Sequence, residues 1–382
     1  MRKFYGLITI LAMVAFAIYS CSDSDSETYV PIAPEPSSPV IVDLTQVPYP
    51  KLSDYHFFDG ALKDQEPALG VLPFEPASTL FTDYALKKRF VWMPKGTKAS
   101  YNGDAKALEL PVGAVLIKTF YYDHVQNITP VGGTRIIETR LMIRKATGWI
   151  FANYVWNDEQ TEAYQDLAGS FTAVEWKEKN ITPKSANYRI PSEEQCIICH
   201  KKQIIENDVV TAVIHVPIGI KPQNMNFALN YGTETKNQLT KWVEAGYLEA
   251  GFALPTAENT TIDYRDESKP VDLRARSYID ANCAHCHNIE NHCYYRPMRF
   301  PFSETGNRTN LGVCVDTEDM QGFEPALGKI VTPGTINRSM LYHRLNTTDE
   351  TFRMPLHGRT IIHYEGLELI ENWINSLEPC PD

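Results

Sequence analysis

Apolar and polar positions alternate most clearly between about residues 51 and 187. Arg89–Met93, Ala114–Asp123, Arg135–Arg144, Trp149–Trp156 and Phe171–Trp176 are rich in Val, Ile, Thr and aromatic residues, the composition of strands. A period of two in Trp149–Trp156 puts Ile150, Ala152, Tyr154 and Trp156 on one face. Lys145-Ala146-Thr147-Gly148 separates two of these runs and suits a hairpin, with Gly148 taking the positive φ. The pattern predicts an antiparallel β-rich domain over 51–187, of sandwich or barrel type. Glu138 and Arg140 share a strand face there and read as a charged pair on a solvated face, with a functional site as the alternative.

Beyond residue 187 the apolar period becomes helical. Ser192 suits an N-cap and Gln195 completes a capping box immediately before Cys196. Leu239, Trp242, Val243 and Tyr247 share one face of a helix expected over Thr235–Leu248, capped by Thr235 and Gln238. Val271, Ala275, Tyr278 and Ile279 predict a helix running into Asn282 and Cys283, with Arg274 and Arg276 turned outward. Leu367, Ile370, Trp373, Ile374 and Leu377 form an apolar stripe on a last helix over Glu365–Leu377.

The chain start carries a different pattern. Met1-Arg2-Lys3 precedes seventeen uncharged residues, Phe4 to Ser20, fewer than the ~20 that comfortably span a bilayer. Residues 1–20 therefore read as an export signal, with an uncleaved anchor helix as the alternative. Ile18-Tyr19-Ser20-Cys21 resembles a bacterial lipobox, which makes Cys21 the candidate for lipidation. The acidic run Ser22–Glu27 resembles that of surface-exported lipoproteins of Bacteroidota, or is a plain solvated spacer. Six prolines between Pro31 and Pro50 complete an extended tether over 21–50. Charge narrows the function classes. The 382 residues hold 36 Lys+Arg against 47 Asp+Glu, a net charge of −11 that becomes −13 without Arg2 and Lys3. Nucleic-acid binding through phosphate neutralisation is thereby excluded.

Cysteine spacing carries the chemistry. Cys196-Ile197-Ile198-Cys199-His200 and Cys283-Ala284-His285-Cys286-His287 are two copies of C-x-x-C-H, the attachment motif of c-type haem. Residues three apart on a helical turn share a face, so both thiols of a pair reach the two vinyl groups of one porphyrin. The following His200 or His287 is then the proximal iron ligand. A zinc ribbon is a poor alternative for pairs more than eighty residues apart, and a redox dithiol needs no trailing His. The reading implies two covalent haem c groups, with His285 a surface residue. Met354, in Met354-Pro355 ahead of the last helix, is the candidate distal ligand of the second iron, with Met298 weaker. At the first iron Met225, His215 and an open position compete. Cys293 and Cys314 can close the insertion after the second motif, leaving Cys380 over, though other pairings remain open.

The stretch from about Leu80 to Leu377 resembles a family of bacterial dihaem c-type cytochromes that places a β-rich domain before two haem modules. The resemblance rests on Leu80-Phe81-Thr82-Asp83-Tyr84-Ala85, Glu138-Thr139-Arg140-Leu141, Tyr154-Val155-Trp156-Asn157 and Tyr188-Arg189-Ile190-Pro191-Ser192. Arg274-Ala275-Arg276-Ser277-Tyr278 running into the second haem motif, and Met354-Pro355 before Gly358-Arg359, complete it. The expected fold class is α+β multidomain: the β-rich domain, then two mainly α cytochrome c-like haem modules over 188–255 and 266–378. The expected role is electron transfer with other redox proteins, from an outer-membrane lipoprotein facing the periplasm or the cell surface. A dihaem peroxidase and a haem-based sensor are the alternatives, separated from the first by whether a sixth iron position is exchangeable.

Overall fold

The computed structural model describes residues 36–177 and 184–381. The export signal, Cys21, the acidic run and the first part of the tether lie outside the described residues.

The β-branched and aromatic runs form long strands. After the short pair β1 (Phe58–Asp59) and β2 (Glu66–Pro67) come β3 (Val71–Pro73), β4 (Leu86–Trp92), β5 (Val115–Val125), β6 (Gly133–Lys145) and β7 (Gly148–Trp156). β8 (Ala163–Gln165), β9 (Ser170–Trp176) and β10 (Lys184–Ile190) complete an antiparallel sheet of eight strands. Its order is β10-β9-β5-β6-β7-β8, with β4 pairing both β5 and β3. Among the described residues no second large sheet packs on it, as a sandwich would require; loops and helices cover its faces. The β6–β7 hairpin pairs Lys145 with Gly148, whose φ of 133° a Cβ would disfavour, as its sequence predicts.

One face of this sheet presents Phe90, Trp92, Ile117, Leu141, Tyr154 and Trp156 to Val47, Leu52, Tyr55 and Phe57. The hydroxyls of Tyr55 and Tyr154 lie 2.9 Å apart within this layer. The described end of the expected tether over 21–50 docks on this core. Val47 is buried, and Val40, Val42, Leu44 and Tyr49 pack on the same cluster because prolines between them do not prevent apolar side chains from docking. The opposite face presents Val91, Leu116, Met142 and Phe151 to Cys196, Met225, Leu239 and Trp242.

The helices are α1 (Glu193–His200), α2 (Pro222–Met225), α3 (Gln238–Glu244), α4 (Val271–Asn282), α5 (Met340–Leu345) and α6 (Tyr364–Asn375). Two mainly α cytochrome c-like modules do not form, which corrects the expected fold class. Only α4 and α6 reach twelve residues, and strands outweigh helices among the described residues. The first haem motif ends α1 and runs at once into a hairpin, β11 (Lys201–Glu206) with β12 (Val209–His215). Val209, Val210, Thr211, Val213 and Ile214 favour extended backbone, and Asn207 and Asp208 both take the positive φ of a tight hairpin turn. A further small pair, β13 (Ala228–Asn230) and β14 (Thr235–Asn237), occupies the expected start of α3, so Asn237 rather than Thr235 caps that helix.

Ser38–Asp382 is one compact unit, tied together by contacts between distant segments. Asn282 accepts the Phe81 amide at 2.8 Å, and the buried Asp83 carboxylate accepts the Thr360 and Ile361 amides at 2.7 and 3.1 Å. A third core, in which Tyr278 and Ile279 meet Leu367, Ile370, Trp373 and Ile374, joins α4 to α6. Trp373 donates to Asp272 at 3.1 Å. Arg274 and Arg276 are not simply turned outward: they donate to the Tyr264 carbonyl and to Thr305, pinning loops to α4. Among the described residues no helix is long and apolar enough to cross a membrane.

Candidate functional site

The first C-x-x-C-H is held by its local sequence. The capping box of Ser192 and Gln195 forms, starting α1 so that Cys196 and Cys199 fall on one helical side. Cys196 is buried against the sheet, where Phe151 lies with its ring 5.1 Å from that of His200. The β11–β12 hairpin returns beside the motif, so that the His200 carbonyl accepts the Val216 amide at 2.8 Å. The Val216 carbonyl in turn lies 2.8 Å from His200 Nδ1. A carbonyl only accepts, so Nδ1 carries the proton and Nε2 keeps a free lone pair, the state a metal-ligating imidazole needs. Burial lowers the His200 pKa to about 4, which keeps the ring neutral.

The same hairpin places His215 across from Lys201, the residue after His200, with its ring 5.2 Å from that of Phe151. Met225, at the end of α2, is fully buried in the apolar cluster of Leu239 and Trp242, surroundings typical of a core side chain.

The second motif lies just past α4. Turn bonds from the Cys286 and His287 amides to the Cys283 carbonyl, 3.1 and 3.0 Å, bring Cys283, Cys286 and His287 round one cavity. Its volume is about 170 Å³, where one water needs only ~15 Å³. Met354, Met298 and Met340 share the walls with His287. His287 is buried and its Nδ1 has no partner; Nδ1 of the buried His285 and of the half-buried His357 at the same cavity also lacks one. Burial lowers the His287 pKa to about 4 and pushes the Cys283 thiol up to about 12.

The two motifs meet. Ligand atoms of Cys199, His285 and Cys286 lie within 4.8 Å of one another, and Cys199 lines the cavity of the second motif. A hydrogen bond from Cys286 holds the Cys199 thiol pKa down and raises that of Cys286. Outside the cysteines, the Gln203 amide donates to the Glu290 carbonyl at 2.6 Å and Lys202 pairs with Glu290 at 2.8 Å. His285, expected at the surface, is only 8% exposed because this junction covers it.

Two further expectations change. Cys314 bonds to Cys380, closing a span of 66 residues, while Cys293 stays a buried free thiol whose amide donates to the Cys286 carbonyl. The C-terminal tail folds back, and this distant partner could not be chosen from spacing. Glu138 does not face solvent: it is 0% exposed, accepts two bonds from the half-buried Arg140 at 2.9 and 2.6 Å, and a third from the Tyr188 hydroxyl at 2.7 Å. Sequence reasoning also missed Val216 and Phe151 as the frame of His200. Only the β-branched run of the hairpin signals them.

Each motif offers two thiols and an imidazole, and the second adds thioethers and a cavity far larger than a water. No protein-family model, curated protein or solved structure matches the chain.

Proposed function

We propose that this protein is a dihaem c-type electron-transfer protein. The observation that supports it best is the convergence of both C-x-x-C-H motifs on one junction, with Cys199 and Cys286 side by side. Cys196 with Cys199, and Cys283 with Cys286, would hold the two haems as thioethers, with Nε2 of His200 and His287 toward the irons. Met354 is the distal candidate at the second. When bound, haem supplies reversible one-electron chemistry at iron. The chain's own contribution is to fix both imidazoles neutral, to exclude water by burial, and to bring the two attachment points together so that charge passes within one molecule. Lipid on Cys21 would anchor the protein to the outer membrane, facing the periplasm or the cell surface. The net charge of −13 after signal removal favours a basic redox partner, whose reduction slows as salt rises.

Pyridine-haemochrome assay tests the reading. Two haems per chain, resistant to acid–acetone, are expected, falling to one in Cys196→Ala/Cys199→Ala and again to one in Cys283→Ala/Cys286→Ala. A wild type stripped of colour by acid–acetone refutes it. The grouping of Cys199, His285 and Cys286 within 4.8 Å favours a second reading, a soft metal ion held by two thiolates and an imidazole. Stoichiometric zinc or copper in a colourless protein would select it. Steady peroxide turnover with an artificial donor would replace the relay by a peroxidase.

A further inference from the structure

Two stretches that the haem motifs leave without a task are brought together by the fold: Leu80–Ala85, just before β4, and the loop over 354–363 that carries Met354. Within the first, Asp83 and Tyr84 take φ of 48° and 64°, a left-handed conformation that side chains other than glycine adopt at a cost. The sheet holds this bend, because the Tyr122 hydroxyl on β5 donates to the Asp83 carbonyl at 2.6 Å. The Asp83 carboxylate, 1% exposed, is thereby turned onto the Met354 loop. Its Oδ1 accepts the Thr360 and Ile361 amides, and its Oδ2 accepts the Thr360 hydroxyl at 2.9 Å.

The same bend reaches the second motif. Phe81 donates its amide to Asn282, the last residue of α4 and the neighbour of Cys283, and its ring stacks on His363 at 4.2 Å. From inside the loop, the buried Arg359 completes the hold. Its Nε donates to the Met354 carbonyl at 2.9 Å and its Nη1 to the Ile361 carbonyl at 3.2 Å. Its Nη2 donates to the carbonyls of Arg344 and Thr347 at 3.0 and 2.9 Å. The Met354 amide donates to the Arg344 carbonyl at 2.9 Å, so both backbone polar groups of Met354 are fixed. Its side chain borders the cavity that His287 also lines and, with Phe81, Asn282 and Arg359, a second small recess. Loops are ordinarily the mobile part of a fold; here hydrogen bonds to buried charged groups, stronger than neutral ones, hold one in place.

We propose that Asp83 and Arg359 are positioning residues for the Met354 thioether. Asp83 ties the Met354 loop to a bend that also holds Asn282 beside Cys283, so one segment of the β-rich part sets where Met354 stands relative to His287. Arg359 fixes Met354 itself through its carbonyl. The Asp83 carboxylate bonds end on the loop and not on α4 or α6, whose packing the shared apolar core already secures. A ligand held this way loses less freedom on binding than one on a free loop, which strengthens the bond it makes. The inference rests on the haem reading above, with Met354 as the distal candidate.

Asp83→Ala and Arg359→Met test it, with Asp83→Asn and Arg359→Lys as conservative variants. Asp272→Asn is the control, since Asp272 accepts from Trp373 in the same core. Haem content by pyridine haemochrome, the sulfur-to-iron charge-transfer absorption, a two-wave redox titration and amide exchange at Thr360 and Ile361 are measured on the full chain. Two haems are expected throughout. Asp83→Ala should speed exchange at both amides roughly 10- to 100-fold, the loss of a hydrogen bond to a charged group. Asp83→Ala and Arg359→Met should both weaken the charge-transfer band and lower one potential. Asp83→Asn, whose amide oxygen still accepts, and Arg359→Lys should recover part of the band, and the control should keep all of it. Asp83→Asn also keeps the measurement possible where truncation lowers the yield of folded protein. Faster exchange with the band and both potentials unchanged overturns the assignment and leaves the haem reading intact. A wild type with two haems but no charge-transfer band overturns it through Met354. One without covalent haem overturns both readings, and the haemochrome count tells these failures apart.

Discussion

Met225 provides the sharpest separation between a packed thioether and an iron ligand. Its side chain is fully buried among Leu239, Trp242 and Ile220, on the sheet face that also carries Cys196. Burying such a side chain contributes roughly 1.5–3 kcal/mol, and truncation adds a cavity that rigid neighbours cannot close. Met225→Ala should therefore destabilise by about 2–5 kcal/mol, whereas Met225→Leu, which keeps the volume, should cost less than about 1.5 kcal/mol. Equilibrium urea unfolding followed by far-UV circular dichroism gives both values, with an unchanged m-value showing that compactness is kept. Iron chemistry is read separately, from the sulfur-to-iron charge-transfer absorption and the potentials of the two waves. A core Met225 leaves all of these unchanged in Met225→Leu. Loss of a charge-transfer band in Met225→Leu, or a fall in one potential, would refute the packing argument and make Met225 the distal ligand.

Met354→His should lower the potential of one haem only, because a thioether favours ferrous iron more than imidazole does; an unchanged charge-transfer band would remove Met354 from the site. Opening the Cys314–Cys380 disulfide by a double Ala substitution should cost about 4 kcal/mol in unfolding free energy, the loop-closure value for its span of 66 residues, and a cost under 1 kcal/mol would count against it as a structural tie. Arg140→Met leaves the fully buried Glu138 carboxylate without its cation and should destabilise by about 3–5 kcal/mol, while the paired change to Met and Gln recovers part of the loss; equal losses would show no coupling. His363 is held neutral, its folded pKa lowered to about 4 mainly by burial, with its ring stacked on Phe81 and its nitrogens 3.1 and 3.3 Å from the Tyr278 and Tyr264 hydroxyls. A lowered folded pKa means stability present above the unfolded value near 6.5 and lost as pH falls toward 4, about 2 kcal/mol by pH 5. His363→Gln should flatten that part of the pH profile, and an unchanged slope would place the titration elsewhere.

Local signals determined more of this protein than its architecture. The strands around Arg89–Met93, Ala114–Asp123 and Trp149–Trp156, the Gly148 turn, the Ser192–Gln195 capping box and the apolar stripe of the last helix all form near where the sequence places them, because each rests on neighbours within a few residues. The two C-x-x-C-H motifs are legible for the same reason: their chemistry lies in a spacing of three. The hairpin after His200 carries a local signal too, the β-branched run Val209–Ile214, which argues for extended chain against the helical module expected there. The remainder needed contacts between residues far apart in the chain. Cys199 meets Cys286 and Cys314 meets Cys380 only when the chain folds back. Glu138 and Arg140 look like a surface pair in a strand pattern, yet Glu138 is fully buried because Tyr188 and the approach to α1 cover that face. His285 is likewise hidden by a junction between segments more than eighty residues apart. Periodicity specifies which side a residue faces; only tertiary packing decides what lies opposite it, and here that determines which charges are buried and which thiols meet.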